Sequence, residues 1–283
     1  MGFFDIVKML LIAAAAALGE WFPVSNTGHI TVIGQYFGFE DWYTGEAVRN
    51  LFVATATLGT MLAACALYLP HNGLTYRTQD GRRMLAADRL RFYVAILIAW
   101  VPCLLLALMF GGKWSAFLYD PKSMQTIKMT MVVMITGGVV LWLGALRSRR
   151  AFVKYEKLEE IPRWMILLLG PVQIIGFLPG ASRFGLTIVI AVMLGVQLKT
   201  AVNFSVFMSL PAVVVYGVLP IVRNAGSIHG ILASEMLTAG VLAFLISFVL
   251  LRSVAAIVSG KTLARFGQYR IAFGILLYVF SIL

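Results

Sequence analysis

The sequence predicts an all-α polytopic membrane protein, an inverted-topology repeat of about six spanning helices plus two re-entrant helix–loop–helix segments. Three observations carry that expectation. The 283 residues are 60% hydrophobic and 12% charged, with a mean hydropathy of +0.90, whereas a soluble domain carries about 25% charged residues. Several apolar runs reach spanning length. Lys and Arg alternate between rich and poor loops.

The first element, about 4–38, is apolar but broken at 19–29 by "GEWFPVSNTGH". Its alanine-rich start reads as a retained helix, because Asp5 and Lys8 stand where a signal peptide carries a basic cluster. Spans follow at about 48–69, 89–111 and 126–147. A second interrupted stretch, about 161–197, is broken by "GFLPGASRFG", and spans follow at about 200–222, 235–257 and 267–283. The flanks of both breaks are short for a span. Irregular backbone at membrane depth is tolerated only where it lines protein or a cavity, so half-helices that enter and turn back fit both stretches.

The loop charges orient these elements. Segment 70–91 carries Arg77, Arg82, Arg83, Arg89 and Arg91; 147–163 carries Arg147, Arg149, Arg150, Lys154, Lys157 and Arg163; 252–270 carries Arg252, Lys261, Arg265 and Arg270. Stretch 30–47 has no Lys or Arg, and 223–234 has only Arg223. The alternation places the basic segments in the cytoplasm and both termini outside. One break then enters from each side, each followed by three spans. The chain is thus expected to be a single integral membrane domain, 1–283, with approximate inverted repeats at 1–147 and 160–283. Aligning "FPVSNTGHITVI" with "LPGASRFGLTIVI" pairs Pro23 with Pro179, Ser25 with Ser182 and Gly28 with Gly185. The net charge of +11 is therefore a matter of topology rather than a sign of nucleic acid. Cys65 and Cys103 lie inside apolar runs without metal-ligand spacing and read as buried thiols.

Ionisable groups at membrane depth are costly and mark sites by default. Glu20 is the acidic residue placed most clearly within an apolar region, Arg183 its clearest basic counterpart, and His29 the histidine so placed, while His71 and His229 fall in loops. The two breaks hold all three. An Arg fork matches phosphate oxygens, half-helix N-termini favour anions, and a His works as nucleophile or general acid/base near neutral pH. Ser25, Thr27, Ser182 and Thr187 add hydroxyls. The pattern suits a phosphorylated lipid. Each residue also has a plainer reading: Glu20 and Arg183 as a structural ion pair, His29 as a partner of a helix end, the hydroxyls as caps.

"GEWFPVSNTGHITVIGQYFGF" and "FLPGASRFGLTIVIAVMLGV" resemble the two signature regions of the bacitracin-resistance undecaprenyl-diphosphate phosphatase family, approximately E-G-x-x-E-[FW]-[LF]-P-[VI]-S-S-T-G-H and P-G-x-S-R-S-x-x-T. Segment order and length match over nearly the whole chain. The resemblance implies hydrolysis of undecaprenyl diphosphate to the monophosphate carrier used for peptidoglycan and other envelope glycans. It also implies a multi-pass protein of the inner (plasma) membrane, an interdigitated inverted repeat, and help from a divalent cation such as Mg²⁺ or Ca²⁺. By position it assigns His29 as nucleophile or acid/base group, Glu20 as cation ligand or orienter of that base, and Arg183 as phosphate clamp. Ser25, Asn26, Thr27, Gly28, Pro179, Gly180, Ser182 and Thr187 fall on the phosphate-binding positions. Oligomeric state is left open.

Four positions depart from the pattern. Ala16 stands where the first glutamate is expected, Asn26 at the second serine, Phe184 after the arginine, and Thr57 where a Gln is usual before Leu-Gly. Without a carboxylate at position 16 there is less charge to hold Mg²⁺. An amide cannot attack as a hydroxyl does, so Ser25, His29 or a water activated by His29 remains as the attacking group. An inverted repeat around an anion site is also a transporter architecture. A non-catalytic polyprenyl-phosphate binder or transporter therefore stands beside the phosphatase, and a scaffold retained for partner contacts stands third.

Overall fold

The computed structural model describes residues 3–36, 46–71, 75–77, 83–85, 87–118, 124–148, 152–228 and 230–282. Arg82, Arg149, Arg150 and His229, which entered the charge and histidine readings, lie outside these residues.

Helix α1 (Phe3–Trp21) stops at Pro23, which has no N–H to continue the ladder. After a turn through Ser25, α2 (Asn26–Tyr36) begins. Helices α3 (Glu46–His71), α4 (Ala87–Leu118) and α5 (Met124–Ser148) follow. Between α3 and α4 two short antiparallel strands, β1 (Thr75–Arg77) and β2 (Arg83–Leu85), pair Tyr76 with Met84. This hairpin and a single parallel bridge between Tyr155 and Val196 are the departures from the all-α expectation among the described residues. The hairpin sits in a loop, where alternating backbone pairing costs the helical bundle nothing.

The second half repeats the interruption. Helix α6 (Arg163–Leu169) passes into a 3₁₀ stretch, Pro171–Phe177, and α7 (Arg183–Met193) starts beyond the turn at 178–182. Helix α8 (Leu198–Ser209) is followed by a π-helical stretch, Val213–Val218, and α9 (Leu219–Arg223). Then come α10 (Gly230–Leu251), the one-turn α11 (Val254–Ile257) and α12 (Gly260–Ile282).

Three expectations about spans change. The run at 200–222 is not one helix: Leu198–Ser209 and Val213–Arg223 meet at 42°, because Pro211 interrupts the ladder between them. The run at 235–257 ends at Leu251, with Arg252 and Ser253 separating the last turn. The final helix begins at Gly260, seven residues before the apolar run, so Arg265 and Arg270 are helical rather than in a loop. Four described helices are long and apolar enough to cross a membrane, or five if the bent pair is one span. Their outer faces show Leu97, Ile98, Met109, Val132, Leu237 and Val249 unburied, as helices facing lipid tails do.

The main core gathers Trp21, Trp100, Phe184, Phe204, Phe207 and Met165 around the two breaks. A second core joins α1, α3 and α10 through Met9, Ile12, Leu51, Phe52 and Met236. Helix α12 lies against α5 where Gly138 meets Gly267, small residues that let the two backbones close up. The two breaks are thereby held face to face: Trp21 meets Phe184 edge-on at 6.2 Å between ring centres, and Pro23 rests on Gly185. Cys65 and Cys103 are free thiols, Cys103 buried.

Candidate active site

Both breaks end in the same way. Ser25 Oγ accepts the Gly28 N–H at 3.1 Å, and Ser182 Oγ accepts the Gly185 N–H at 3.2 Å. Each serine thus caps the helix that follows it. These are the Ser and Gly pairs that the sequence alignment matched. Capping is the role the structure gives both hydroxyls. Thr187 is likewise occupied within the fold, donating to the Arg183 carbonyl at 2.8 Å and accepting from Gln173 Nε2 at 3.0 Å.

Ser25 holds φ of 81°, a left-handed conformation that is uncommon outside glycine. It turns the Ser25 carbonyl onto His29, whose Nδ1 lies 2.6 Å away. A carbonyl only accepts, so Nδ1 carries the proton and Nε2 is left as the acceptor. Nε2 receives the Tyr269 hydroxyl at 2.6 Å. The imidazole is stacked on Phe273, with ring centres 4.8 Å apart. Neither ring nitrogen is shown bonded to Ser25 Oγ. Glu20 does not orient His29 either; backbone and Tyr269 do.

Glu20 is instead paired with Arg183, Nη2 to Oε1 at 2.6 Å, and both are buried. The Arg183 guanidinium lies 4.6 Å from the Tyr216 ring and 5.8 Å from that of Trp100, the geometry of cation–π contact. Gly176 gives its stem room, since a methyl there would collide with Arg183 Cδ. Arg183 Nη1 and Asn26 Oδ1 are buried and have no hydrogen-bond partner among the described residues.

The two breaks are tied directly. Gly180 donates its N–H to Thr27 Oγ1 at 3.1 Å, and its carbonyl accepts Arg270 Nη2 at 2.7 Å. Gly180 sits at φ +88° with its Cα beside Gly28, a turn that only a residue without Cβ enters freely. Thr27 Oγ1 lies 3.4 Å from Ser25 Oγ. A circuit therefore runs Arg270, Gly180, Thr27, Ser25, His29, Tyr269, and closes through the peptide that joins Tyr269 to Arg270.

Sequence reasoning reached Glu20 and Arg183, which the structure pairs, and Ser25, Thr27, Gly28, His29 and Gly180, which lie around one turn. It missed Tyr269, Arg270, Gln173 and Tyr216. Arg270 was counted among cytoplasmic charges, yet it is fully buried. Glu235 is also buried, 4% exposed in α10, so Glu20 is not alone among carboxylates at depth. The signal for Arg270 was its place inside the stretch 267–283, which reads as a span.

The divalent cation implied by the resemblance meets a poor donor set. Glu20 Oε1 is engaged by Arg183, the buried residue one turn before it is Ala16, and no group of three or more His, Cys, Asp or Glu is gathered among the described residues. Oxygen-rich carboxylate sets are what Mg²⁺ and Ca²⁺ require.

Fold and site together define a polytopic membrane protein with a polar, cation-bearing centre where two helix breaks meet. Comparison with known proteins is in keeping with that class. Residues 9–276 match the family model described as bacitracin resistance protein BacA. Undecaprenyl-diphosphatase 2 of Rhodospirillum rubrum is 29% identical over 95% of this chain and 93% of its own length. The undecaprenyl-diphosphatases of Verminephrobacter eiseniae and Neisseria meningitidis serogroup C are each 28% identical, over 97% and 99% of this chain and 94% and 96% of their own lengths. The chain belongs to the BacA family.

Proposed function

We propose that this protein is an undecaprenyl-diphosphate phosphatase of the inner (plasma) membrane, releasing the terminal phosphate to leave undecaprenyl phosphate for envelope glycan synthesis. The relatives carry that name. The observation in this chain that carries the reading is the circuit holding His29, with Nε2 unprotonated, against the turn that leads into Arg183.

In this reading the terminal phosphate settles where Thr27 and Gly28 meet Gly180. Arg183 donates from Nη1, while Glu20 fixes the guanidinium through Nη2 and so acts as a positioning residue. The Tyr269 hydroxyl swings away and His29 Nε2 accepts a proton from the attacking water. A new O–P bond forms at the terminal phosphorus. The bond to the bridging oxygen breaks, and the lipid monophosphate leaves with that electron pair. A serine nucleophile is disfavoured, because Ser25 Oγ serves as a helix cap and His29 faces the Ser25 carbonyl rather than its hydroxyl.

The finer architecture is part of the same reading: two re-entrant halves within inverted repeats, about 1–147 and 160–283, with the three basic segments cytoplasmic. The shared Ser–Gly cap at the two breaks supports it. The test is phosphate release from undecaprenyl diphosphate by the detergent-purified protein and by its His29→Gln variant. Release by the first and not the second is expected; release unchanged in His29→Gln overturns the assignment of the base.

A further inference from the structure

Arg270 is among the largest fully buried side chains of the protein, at 0% exposure. Its Nη2 donates to two carbonyls, Gly180 at 2.7 Å and Val133 at 3.2 Å. Its Nε and Nη1 are buried and have no partner among the described residues. No carboxylate is hydrogen-bonded to it there. A buried guanidinium held only by carbonyl dipoles is unfavourable unless something supplies the opposite charge.

The surroundings are built to keep it. Gly137 leaves the space that the guanidinium fills, since a methyl there would overlap Nη2. That is the counterpart of Gly176 beneath Arg183. The neighbouring residue in the chain, Tyr269, holds His29. Arg183 follows three residues after Gly180, so the turn at 178–182 has a buried guanidinium bonded to it and another at its end. Both have N–H groups without a partner among the described residues.

We propose that Arg270 is a second anion-binding group, and that with Arg183 it brackets the diphosphate, supplying the positive charge that a divalent cation would otherwise bring. This rests on the phosphatase reading for its substrate and on the buried charges for its site. In the centre so described, Glu20 is the carboxylate and is engaged by Arg183, while Arg270 adds a second buried guanidinium. The centre is already net positive. A divalent cation placed there would be repelled by the arginines, with Glu20 engaged and Ala16 offering no ligand. A multiply charged anion, by contrast, can accept from the buried Nη1 of Arg183 and from Nε and Nη1 of Arg270. Two planar forks suit two phosphate groups. Turnover is therefore independent of added metal.

The test uses full-length protein in detergent, treated with EDTA, and reads two quantities for the wild type, Arg270→Gln and Arg270→Lys. One is binding of inorganic pyrophosphate by calorimetry; the other is phosphate release from undecaprenyl diphosphate with and without Mg²⁺. The wild type is expected to bind pyrophosphate in EDTA and to release phosphate at an unchanged rate when Mg²⁺ is added. Arg270→Gln is expected to weaken pyrophosphate binding by about 10- to 100-fold, the worth of a charged hydrogen bond, and Arg270→Lys to fall between. Wild-type release that stops in EDTA and returns with Mg²⁺ overturns the proposal while leaving the phosphatase reading intact. Absence of pyrophosphate binding in EDTA, or wild-type affinity in a folded Arg270→Gln, also overturns it. Metal-free pyrophosphate binding that depends on Arg270, without phosphate release in any condition, upholds the anion site and removes the phosphatase reading. Should Arg270→Gln fail to fold, the wild-type comparison with and without Mg²⁺ still decides.

Discussion

His29 shows how much one side chain depends on its immediate neighbours. Its tautomer is set by a backbone carbonyl, and that carbonyl is aimed by the left-handed Ser25. His29→Gln is expected to lower turnover by about 10²- to 10⁴-fold, the usual worth of a general base, while lipid binding persists; paired binding and phosphate-release assays check both. Tyr269→Phe removes the hydroxyl that caps Nε2 but keeps the stacking on His29. It is expected to leave turnover active, since the hydroxyl must leave Nε2 before the proton is taken. Inactivity of Tyr269→Phe would make the hydroxyl part of the proton path.

Arg183 allows the structural and functional readings of the ion pair to be separated. Arg183→Ala strands the Glu20 carboxylate, and loss of one partner of a buried pair costs about 3–5 kcal/mol. The double variant Glu20→Gln, Arg183→Met is expected to regain most of that stability in thermal unfolding and none of the phosphate release. Recovery of both would reduce the pair to a lock between the breaks. Glu20, His29 and Arg183 were legible in the sequence because charge inside an apolar break is conspicuous. Tyr269 and Arg270 were not, because they sit in a regular helix and acquire their roles only through Gly180 and His29, about 90 and 240 residues away in the chain.

At the scale of elements, the two broken stretches do the positioning. Each has a Pro two or three residues ahead of the capping Ser that restarts the helix. The turn at 178–182 needs Gly180 both for its φ and for its closeness to α5. An added methyl would lie 2.7 Å from the Thr130 carbonyl, on top of a left-handed penalty of roughly 1–2 kcal/mol. Gly180→Ala is therefore expected to lower both the unfolding temperature and phosphate release, because the turn cannot keep its bonds to Thr27 and Arg270; crystallinity is not needed, and a melting curve with an activity assay suffices. Pro and Gly made both breaks legible in advance. The bend between α8 and α9 carried the same kind of signal in Pro211, but continuous hydropathy on either side masked it. The hairpin of β1 and β2 had no periodic apolar pattern to announce it.

The molecule as a whole is a bundle whose outer faces are apolar and whose charged centre lies where the breaks meet. In the proposed topology the basic segments face the cytoplasm. Lys157 and Gly226 are both exposed, and Gly226 stands in open space. Cysteine introduced at Gly226 is expected to react with an impermeant maleimide in intact cells, and cysteine at Lys157 only after the inner membrane is opened. Labelling of both from the same side would contradict the inverted arrangement. The class of the fold was legible from composition and loop charge, because a bilayer imposes its demands on every residue of a span. The close crossing of α5 and α12 was not, since it rests on Gly138 and Gly267 meeting across the bundle.

The most direct measurement is phosphate release from undecaprenyl diphosphate by the purified full-length protein, beside His29→Gln and Arg183→Ala, with folding of each checked by thermal unfolding. The account predicts release by the wild type and its loss in both variants. Folded wild-type protein that binds the lipid and releases no phosphate, or equal release by His29→Gln, would contradict it.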